Sequence, residues 1–322
     1  MHSEAFYLAI PSTNADLISV KAQLDEKVAL INLLSDIALT QKALRKQKKQ
    51  KKQKNSANAA QLSAAAVDPH PLDEKYTSLG CGLKKVSKKD PVWKGVNQYF
   101  KASLVKKRVK DPYGMSGFSK RYGDRVKVLE VFEMTRDGEA AAYEQHAAKQ
   151  GRTLLWHGTN IAVAAAICSS GMRIMPNSGG RVGKGIYLAN QSAKSGHYVQ
   201  PAADGTGVMF LAEAAMGTPS CIMRDDPRLK KAPAGADSVI AQGLVDPDPS
   251  GDIKVDLGGR EVTMPAGALR LSQAPGAQPG SEAANGGRGT TFIQSEHLIY
   301  EESQVRLRYL VKMQWSSSAD DA

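Results

Sequence analysis

The chain has 322 residues, of which 42% are hydrophobic, and a formal net charge of +11 at pH 7, so it can bury the core of one large domain or two ordinary ones. Its apolar runs are well below the roughly 18 to 20 residues that a membrane span requires, and its start lacks the pattern of a secretory leader, which argues against secretion and membrane insertion. Cys81, Cys168 and Cys221 are far apart and lack the paired spacing of metal ligands, which predicts free thiols and no metal site.

The N-terminal part combines an apolar stripe with a dense basic run. Apolar residues at spacings of three and four between Leu17 and Ala38 predict one amphipathic helix. Residues 42–54 then hold eight Lys or Arg and no acid. Such a run is either a solvated tail or a nuclear localisation signal that also contacts polyanions through phosphates. Residues 55–67 predict a linker.

The next segments predict the first ordered elements. Residues 68–79 contain two prolines and then a strand-like run, residues 91–100 predict a helix, and residues 124–149 predict a strand followed by a helix. Residues 101–127 carry nine basic residues against two acids, and the glycine-rich part of this segment predicts a surface loop. The aromatic residues of that loop leave nucleic-acid contact open as an alternative: they are Tyr113, Phe118 and Tyr122.

The run LLWHG at 154–158 predicts a strand that ends in an imidazole and a bare backbone. Residues 162–167 predict a short buried helix, which either Thr159 or Asn160 could cap and Gly171 could end.

Residues 179–185 (GGRVGKG) form a glycine-rich loop that includes Arg181 and Lys184. Such a loop could bring backbone N–H groups and positive charge to a phosphate. It fits neither of the common phosphate-loop patterns, however, and most such loops are only turns. It leads into a second short strand that carries Tyr187.

The remainder of the chain predicts a mostly antiparallel sheet, because it alternates, is rich in β-branched residues and is punctuated by glycine. Residues 266–290 are rich in Gly, Ala, Pro and Ser and predict a long loop. The predicted strands lie at 207–213, 238–243, 253–257, 261–265, 297–301 and 305–313.

The order of strand, His-Gly-Thr, helix, glycine-rich loop, Gly-Ile-Tyr and Ser-x-x-Tyr resembles the NAD-binding signature of the poly(ADP-ribose) polymerases. These enzymes are diphtheria-toxin-like ADP-ribosyltransferases, and the likeness is to their nuclear DNA-repair branch. The resemblance is dense over 151–199, returns at 207–217 and 236–248, and closes with 294–313. It implies an α+β fold, with a mostly antiparallel ADP-ribosyltransferase sheet and flanking helices, that uses NAD as a substrate and needs no metal.

The resemblance also implies a division of the chain. Residues 1–45 would be a residual helical regulatory segment, 46–67 a basic tract and linker, 68–315 the catalytic domain and 316–322 a tail. In the DNA-activated relatives a complete helical subdomain blocks NAD entry. Only about one helix of it is recognisable upstream of His70, with neither zinc fingers nor a Trp-Gly-Arg domain, so we expect activity that depends little on DNA.

His157, Tyr187 and Glu296 match the catalytic triad of the family. Glu296 would accept a hydrogen bond from the nicotinamide ribose and stabilise the oxocarbenium charge that develops there. Without the motif it would be an ordinary solvated glutamate at the start of a strand. The residues implied to bind NAD are His157, Gly158, Thr159, Arg173, Tyr187, Ser195 and Tyr198.

Each of these residues has an implied role. The Gly158 backbone and the Ser195 hydroxyl would hold the carboxamide, Tyr198 would stack on the nicotinamide, and Tyr187 would close the opposite wall. His157 would fix a ribose hydroxyl. Thr159 and Arg173 would lie on the adenosine side, with Lys184 at the basic rim. The alternative for the two tyrosines and the histidine is an ordinary place in the core.

The function implied is NAD-dependent transfer of ADP-ribose in DNA repair in the nucleus. The acceptors would be acidic or serine side chains of proteins, the enzyme itself included, or alternatively nucleic-acid ends. DNA would be contacted through the basic segments. The alternatives are a mono-ADP-ribosyltransferase or NAD glycohydrolase, and a catalytically weak module that only binds NAD or ADP-ribose. Glu296 argues against a pure binder, which needs no carboxylate there. His297, where the family commonly has Tyr, leaves the handling of the acceptor open.

Overall fold

The computed structural model describes residues 76–77, 79–104, 126–175, 179–202, 204–272 and 289–316. All of them belong to the unit Ala64–Ala322. The predicted N-terminal helix, the basic run, the linker and the aromatic residues of the loop after residue 104 lie outside the described residues. Most of the predicted loop 266–290 does so too.

Strands dominate the described residues, which confirms the predicted α+β class. The α-helices are α1 (Pro91–Ala102), α2 (Glu139–Glu144), α3 (Ile161–Ser170) and α4 (Ser192–Gly196). The strands are β1 (Cys81–Lys85), β2 (Val126–Arg136), β3 (Arg152–Gly158), β4 (Ile186–Leu188), β5 (Thr206–Ala215), β6 (Pro219–Ile222), β7 (Ser238–Ala241), β8 (Gly243–Pro247), β9 (Ile253–Asp256), β10 (Glu261–Met264), β11 (Leu269–Leu271), β12 (Phe292–Gln294), β13 (Glu296–Ile299) and β14 (Val305–Trp315).

These strands form three sheets, with the orders β1-β2-β14-β5-β3-β10-β9, β4-β13-β7-β6 and β11-β8-β12. Among the described residues the pairs β3–β10, β6–β7 and β8–β12 are parallel and the other pairs are antiparallel. The predicted mostly antiparallel sheet is therefore confirmed.

The central strand β5 is buried on both faces, and this divides the core. Met209 and Leu211 pack in the cluster that includes α1, whereas Phe210 and Ala212 pack in the cluster that includes α3. Neighbouring residues of a strand point to opposite faces, so one strand serves both clusters. The long strand β14 beside it alternates buried and half-buried residues along its whole length.

The helix predicted after the histidine is present and has the expected ends. Asn160 caps α3, because its side-chain oxygen accepts a hydrogen bond from Val163 N at 3.0 Å. Gly171 follows the last helical residue with φ of 78°, a conformation that favours glycine. Of the two predicted capping residues, Asn160 is the one used.

Three local predictions were wrong. The predicted loop 266–290 contains a strand near its start, because Leu269–Leu271 form β11 and pair with β8. Within the predicted strand before residue 80, Tyr76 and Thr77 are helical, and the first strand is β1, which follows a turn at Gly80. The predicted helix over 139–149 ends at Glu144. His146 beyond that end is buried and hydrogen-bonds Ser303 at 2.9 Å, so a tertiary contact overrides the helix propensity.

Candidate functional site

A cavity of about 350 Å³ lies where the ends of β3, β4 and β13 meet α4. Most of the predicted site residues line it, together with three residues from the glycine-rich loop and three that sequence reasoning did not assign to ligand binding. The lining residues are His157, Gly158, Gly179, Gly180, Arg181, Tyr187, Leu188, Ala189, Lys194, Ser195, Tyr198 and Glu296.

The end of β3 is held against β4 and α4. Trp156 N donates to Ala189 O at 2.7 Å, and Ala189 N donates back at 2.9 Å, which brings the end of β4 beside β3. A Cβ atom on Gly158 would lie 1.9 Å from Ser195 O. No side chain fits at this approach, so the glycine at the strand end allows α4 to pack there.

His157 is oriented by the backbone of β4. Its Nδ1 lies 3.0 Å from the carbonyl oxygen of Tyr187. Burial lowers the pKa of His157, opposed in part by this hydrogen bond. The imidazole is therefore neutral at pH 7, with the proton on Nδ1, which donates to the carbonyl. Nε2 remains as an acceptor for a ligand hydroxyl, in agreement with the positioning role implied for this residue.

Ser195 and Tyr198 provide contrasting surfaces in the cavity. Ser195 is buried, and its hydroxyl donates to Trp156 O at 3.0 Å. Its oxygen lone pairs are still available to accept from an amide N–H. Tyr198 is 61% exposed, so its ring is accessible for stacking on a planar ligand.

The hydroxyl of Tyr187 holds the glycine-rich loop. It donates to Gly183 O at 2.7 Å and accepts from Val182 N at 3.1 Å. A Cβ atom on Gly180 would lie 2.6 Å from this hydroxyl. The ring thus lines one wall of the cavity, and its hydroxyl also fixes the glycine-rich loop.

The loop does not form the phosphate cradle that its composition favoured. Gly180 N donates to Gly183 O, Gly183 N donates to Gly180 O, and Lys184 N donates to Leu229 O. With Val182 N bound to Tyr187, these four N–H groups are all used within the protein. This loop is a tight turn that builds the cavity wall, which is the more common role of such glycine-rich sequences.

Glu296 is the buried carboxylate of the cavity. It is 6% exposed, and its Oε1 lies 2.6 Å from Lys194 Nζ. Oε2 is buried and has no hydrogen-bond partner among the described residues. Burying a carboxylate oxygen without a hydrogen-bond donor costs free energy. Oε2 is therefore suited to accept a hydrogen bond from a hydroxyl of a bound ligand.

Lys194 is a cavity residue that sequence reasoning missed, and Arg181 was considered only as part of the glycine-rich loop. The signal for Lys194 was its place next to Ser195 in the Ser-x-x-Tyr motif, but only the fold reveals its contact with Glu296. Arg181 Nε and Nη2 lie 2.8 and 2.7 Å from the carboxylate oxygens of Asp225, and its guanidinium lies 4.1 Å from the centre of the Phe292 ring. It is a fixed cation at the cavity edge.

Three predicted residues lie outside the cavity lining. Arg173 is paired with Glu302, with 2.7 Å between Arg173 Nε and Glu302 Oε2. Thr159 follows Gly158 but does not line the cavity, and neither does Lys184. The cations that line the cavity are Arg181 and Lys194.

His297 is also absent from the cavity lining, as expected for the strand neighbour of Glu296. It pairs in register with Leu188 and Ile240, and it is buried with both ring nitrogens lacking a partner among the described residues. Burial lowers its pKa to about 4.

This burial predicts acid lability. The unfolded chain protonates His297 below its ordinary pKa of 6.5, whereas the folded chain does so only near 4. The stability gained from keeping the imidazole neutral is therefore present above pH 6.5 and is lost as the pH falls towards 4. The loss amounts to up to about 3 kcal/mol.

The test replaces His297 with Leu and compares urea unfolding of the two proteins at about pH 7 and about pH 4.5. Other buried histidines contribute equally to both proteins, so the difference isolates this position. The variant should lose clearly less stability in acid. An equal loss in both proteins would contradict the assignment.

Two general features of the described residues bear on the class of site. Their His, Cys, Asp and Glu side chains form no group of three or more that could hold a metal ion. None of their helices is both long and apolar enough to cross a membrane.

Comparison with known proteins places this geometry in a family. Residues 107–315 match the poly(ADP-ribose) polymerase catalytic domain. The mouse (Mus musculus) protein mono-ADP-ribosyltransferase PARP3 is 42% identical over 248 residues, which is 76% of this chain and 41% of that protein.

Two further relatives cover nearly all of this chain. The chicken (Gallus gallus) PARP3 is 36% identical over 315 residues, or 97% of this chain and 51% of that protein. Human (Homo sapiens) poly [ADP-ribose] polymerase 2 is 28% identical over 320 residues, or 97% of this chain and 47% of that protein. The chain spans about half the length of the curated relatives it matches. It belongs to the poly(ADP-ribose) polymerase family and carries that family's catalytic domain.

Proposed function

We propose that this chain is an NAD-dependent protein ADP-ribosyltransferase of the poly(ADP-ribose) polymerase type, with 68–315 as its catalytic domain. The observation that carries the proposal is the buried Glu296 carboxylate. Lys194 pairs with one of its oxygens, and the other can accept a hydrogen bond from a ligand. A module that only binds NAD does not need this costly arrangement.

The nicotinamide end of NAD fits the volume and the chemistry of the cavity. Small-molecule sites begin at roughly 300 Å³, so about 350 Å³ suits nicotinamide and its ribose. Nε2 of His157 accepts from a ribose hydroxyl, Ser195 accepts from the carboxamide, and the exposed ring of Tyr198 stacks on the nicotinamide. We place the adenosine beyond this cavity, towards Thr159 and Arg173.

The reaction breaks one bond and forms another at the same ribose carbon. The bond from that carbon to the nicotinamide nitrogen breaks, and its electron pair neutralises the positive ring, which leaves. The acceptor oxygen forms the new bond to the carbon; a carboxylate acceptor has no proton to lose, and a hydroxyl acceptor releases its proton to solvent. Positive charge develops on the ribose in between, and the fixed carboxylate of Glu296 stabilises it without having to reorganise. Before the reaction, the positive charge of Lys194 offsets the negative charge of this buried carboxylate.

The direct test incubates the full chain with NAD labelled in the adenosine part and follows the label on protein. We expect the label to become covalently attached to protein and nicotinamide to be released in equal amount. Release of nicotinamide without protein labelling would instead indicate a glycohydrolase. Binding of NAD without either product would indicate the weak binding module.

The same experiment, with the product sized on a denaturing gel, decides between chains and single units. The triad of His157, Tyr187 and Glu296 matches the pattern of the chain-forming enzymes. The alternative of single-unit transfer has its own support, because the mouse and chicken relatives are named mono-ADP-ribosyltransferases. A discrete band shift indicates single units, whereas a long smear indicates chains.

We further propose that the protein acts in DNA repair in the nucleus, contacting DNA through residues 42–54 and 101–127.

Deleting residues 42–54 is expected to abolish nuclear accumulation of a tagged protein, because this run carries eight Lys or Arg residues. Basal catalysis should change little, since the run lies outside the NAD-binding motifs. Fluorescence microscopy beside an NAD turnover assay provides the measurement, and persistent nuclear accumulation would refute the targeting role.

A further inference from the structure

A second groove lies beside α1, between the exposed side of the helix and the segment after β10 that carries Ala266 and Ala268. It has a volume of about 550 Å³, and its polar lining is Lys94, Asn97, Gln98 and Lys101, with Trp93 beside them. These residues recur at helical spacing, while Val96, Tyr99 and Phe100 on the other face are buried. We call this feature the lysine groove.

The loop between β1 and α1 adds positive charge to the lysine groove. Lys88 Nζ lies 5.8 Å from the centre of the Trp93 ring, and Lys89 is exposed next to it. Lys85 pairs with Glu130. None of Lys88, Lys89, Lys94 and Lys101 is within ion-pair distance of a carboxylate in the part of the chain that the structure describes.

Neighbouring carboxylates do not neutralise this surface. Lys85, Lys88 and Lys312 all lower the pKa of Glu130, so several cations share one acid. Asp90 is already used as the cap of α1, where it accepts from Val92 N at 2.8 Å. That hydrogen bond leaves the negative charge of Asp90 in place, and Asp252 lies near Tyr99 of α1. The four lysines outnumber these acids, so the lysine groove keeps a net positive charge.

Charge selects the kind of occupant. The segment that follows α1, residues 105–125, holds seven Lys or Arg against two Asp, and a second copy of the chain would bring a net charge of +11. Both would be repelled. The partner must be anionic over a length that matches the helix. Lys94 and Lys101 are separated by about 10 Å along the helix axis, which is the rise of about three phosphates along one strand of a duplex.

We propose that the lysine groove binds the phosphate backbone of a nucleic acid. Lysine side chains act as point charges for phosphates, and the amides of Asn97 and Gln98 are suited to hydrogen-bond phosphate or sugar oxygens. The lining carries no arrangement for reading bases, so binding is independent of sequence and weakens with salt. The proposal deepens the DNA contact proposed above, because it gives that contact a site on α1, and it does not depend on the catalytic function.

The lysine groove is also connected to the cavity. Ser103, which follows α1, has its hydroxyl 2.7 Å from that of Ser192, and Ser192 donates to Phe100 O at 2.7 Å. Ser192 begins α4, the helix that carries Lys194 and Ser195. NAD turnover without nucleic acid is therefore the control that reports any disturbance of α1.

The test measures binding of the full chain to a fluorescent duplex DNA of arbitrary sequence over a range of salt. The variant Lys94→Gln/Lys101→Gln removes two groove charges, and Lys230→Gln/Lys231→Gln removes two exposed charges elsewhere. We expect the groove variant to lower the salt slope of log Kobs by about two and to weaken binding roughly tenfold at low salt. The matched control should change neither, and both variants should keep wild-type NAD turnover.

Single-stranded DNA and duplex RNA are compared in parallel, and any one that shows the groove-specific loss identifies the preferred form. Charge reversal at the same two lysines provides a second, larger perturbation. If the groove variant and its control lost equal affinity, the effect would come from the net charge of the protein and not from the groove. That result would overturn the proposal. Unchanged binding to all three nucleic acids would also overturn it.

Discussion

Replacing Glu296 with Gln should lower ADP-ribose transfer by about 10²- to 10³-fold while NAD affinity stays within a few-fold of wild type. The amide preserves the shape of the side chain but removes the charge that the oxocarbenium-like transition state requires. It also leaves Lys194 beside a neutral group where it now contacts Glu296 Oε1 at 2.6 Å. The measurements are the rate of label transfer at saturating NAD and the dissociation constant of NAD from calorimetry.

Glu301→Gln serves as the matched control, because that carboxylate is exposed and does not line the cavity. It should keep both rate and affinity. If Glu296→Gln transferred ADP-ribose at the wild-type rate, the catalytic carboxylate would have to be elsewhere.

Replacing Gly158 with Ala should abolish NAD binding at ordinary concentrations and destabilise the fold by about 1 to 3 kcal/mol. The new Cβ would lie 1.9 Å from Ser195 O and 2.7 Å from the carbonyl carbon. The obstacle is backbone, so no rotamer change relieves it. The segment that carries Lys194 and Ser195 must move away from β3, and the cavity loses its geometry. Calorimetry with NAD and urea unfolding measure the two effects.

Gly179→Ala is the control for this substitution. Gly179 lines the same cavity, but a Cβ atom there would meet no other atom within 4 Å. It should bind NAD and unfold like the wild type. Equal behaviour of the two variants would mean that the close contact between β3 and α4 is not needed for the site.

Much of the fold could be predicted because its signals are local. Asn160 and Gly171 marked the ends of α3 through side-chain capping and a left-handed backbone. The alternation of apolar and polar residues along β14 predicted a strand with one buried face and one half-buried face. His146 shows where this approach failed, because its contact with Ser303 ends α2 early and lies far away in the chain.

The sequence predicted several residues that line the cavity, but it did not predict the contacts between them. The motif residues His157, Tyr187, Ser195 and Glu296 do line one cavity. The contact between Lys194 and Glu296 depends on how α4 meets β13, and no spacing in the chain encodes it.

The glycine-rich loop was ambiguous for a related reason. Its composition suits both an anion cradle and a tight turn, of which the turn is the more common. The choice depends on whether its N–H groups have partners inside the protein. Here the hydroxyl of Tyr187 and the backbone of Leu229 provide such partners.

The central claim is that Glu296 contacts the nicotinamide ribose when the bond to nicotinamide breaks. The most direct measurement is nicotinamide release by wild type and by Glu296→Gln, from NAD and from analogues that each lack one hydroxyl of that ribose. We predict that one analogue loses about as much rate with wild type as the substitution does with NAD, and that combining the two costs little more. If the two losses multiplied for every analogue, Glu296 would not contact the ribose and the proposed reaction in this cavity would be contradicted.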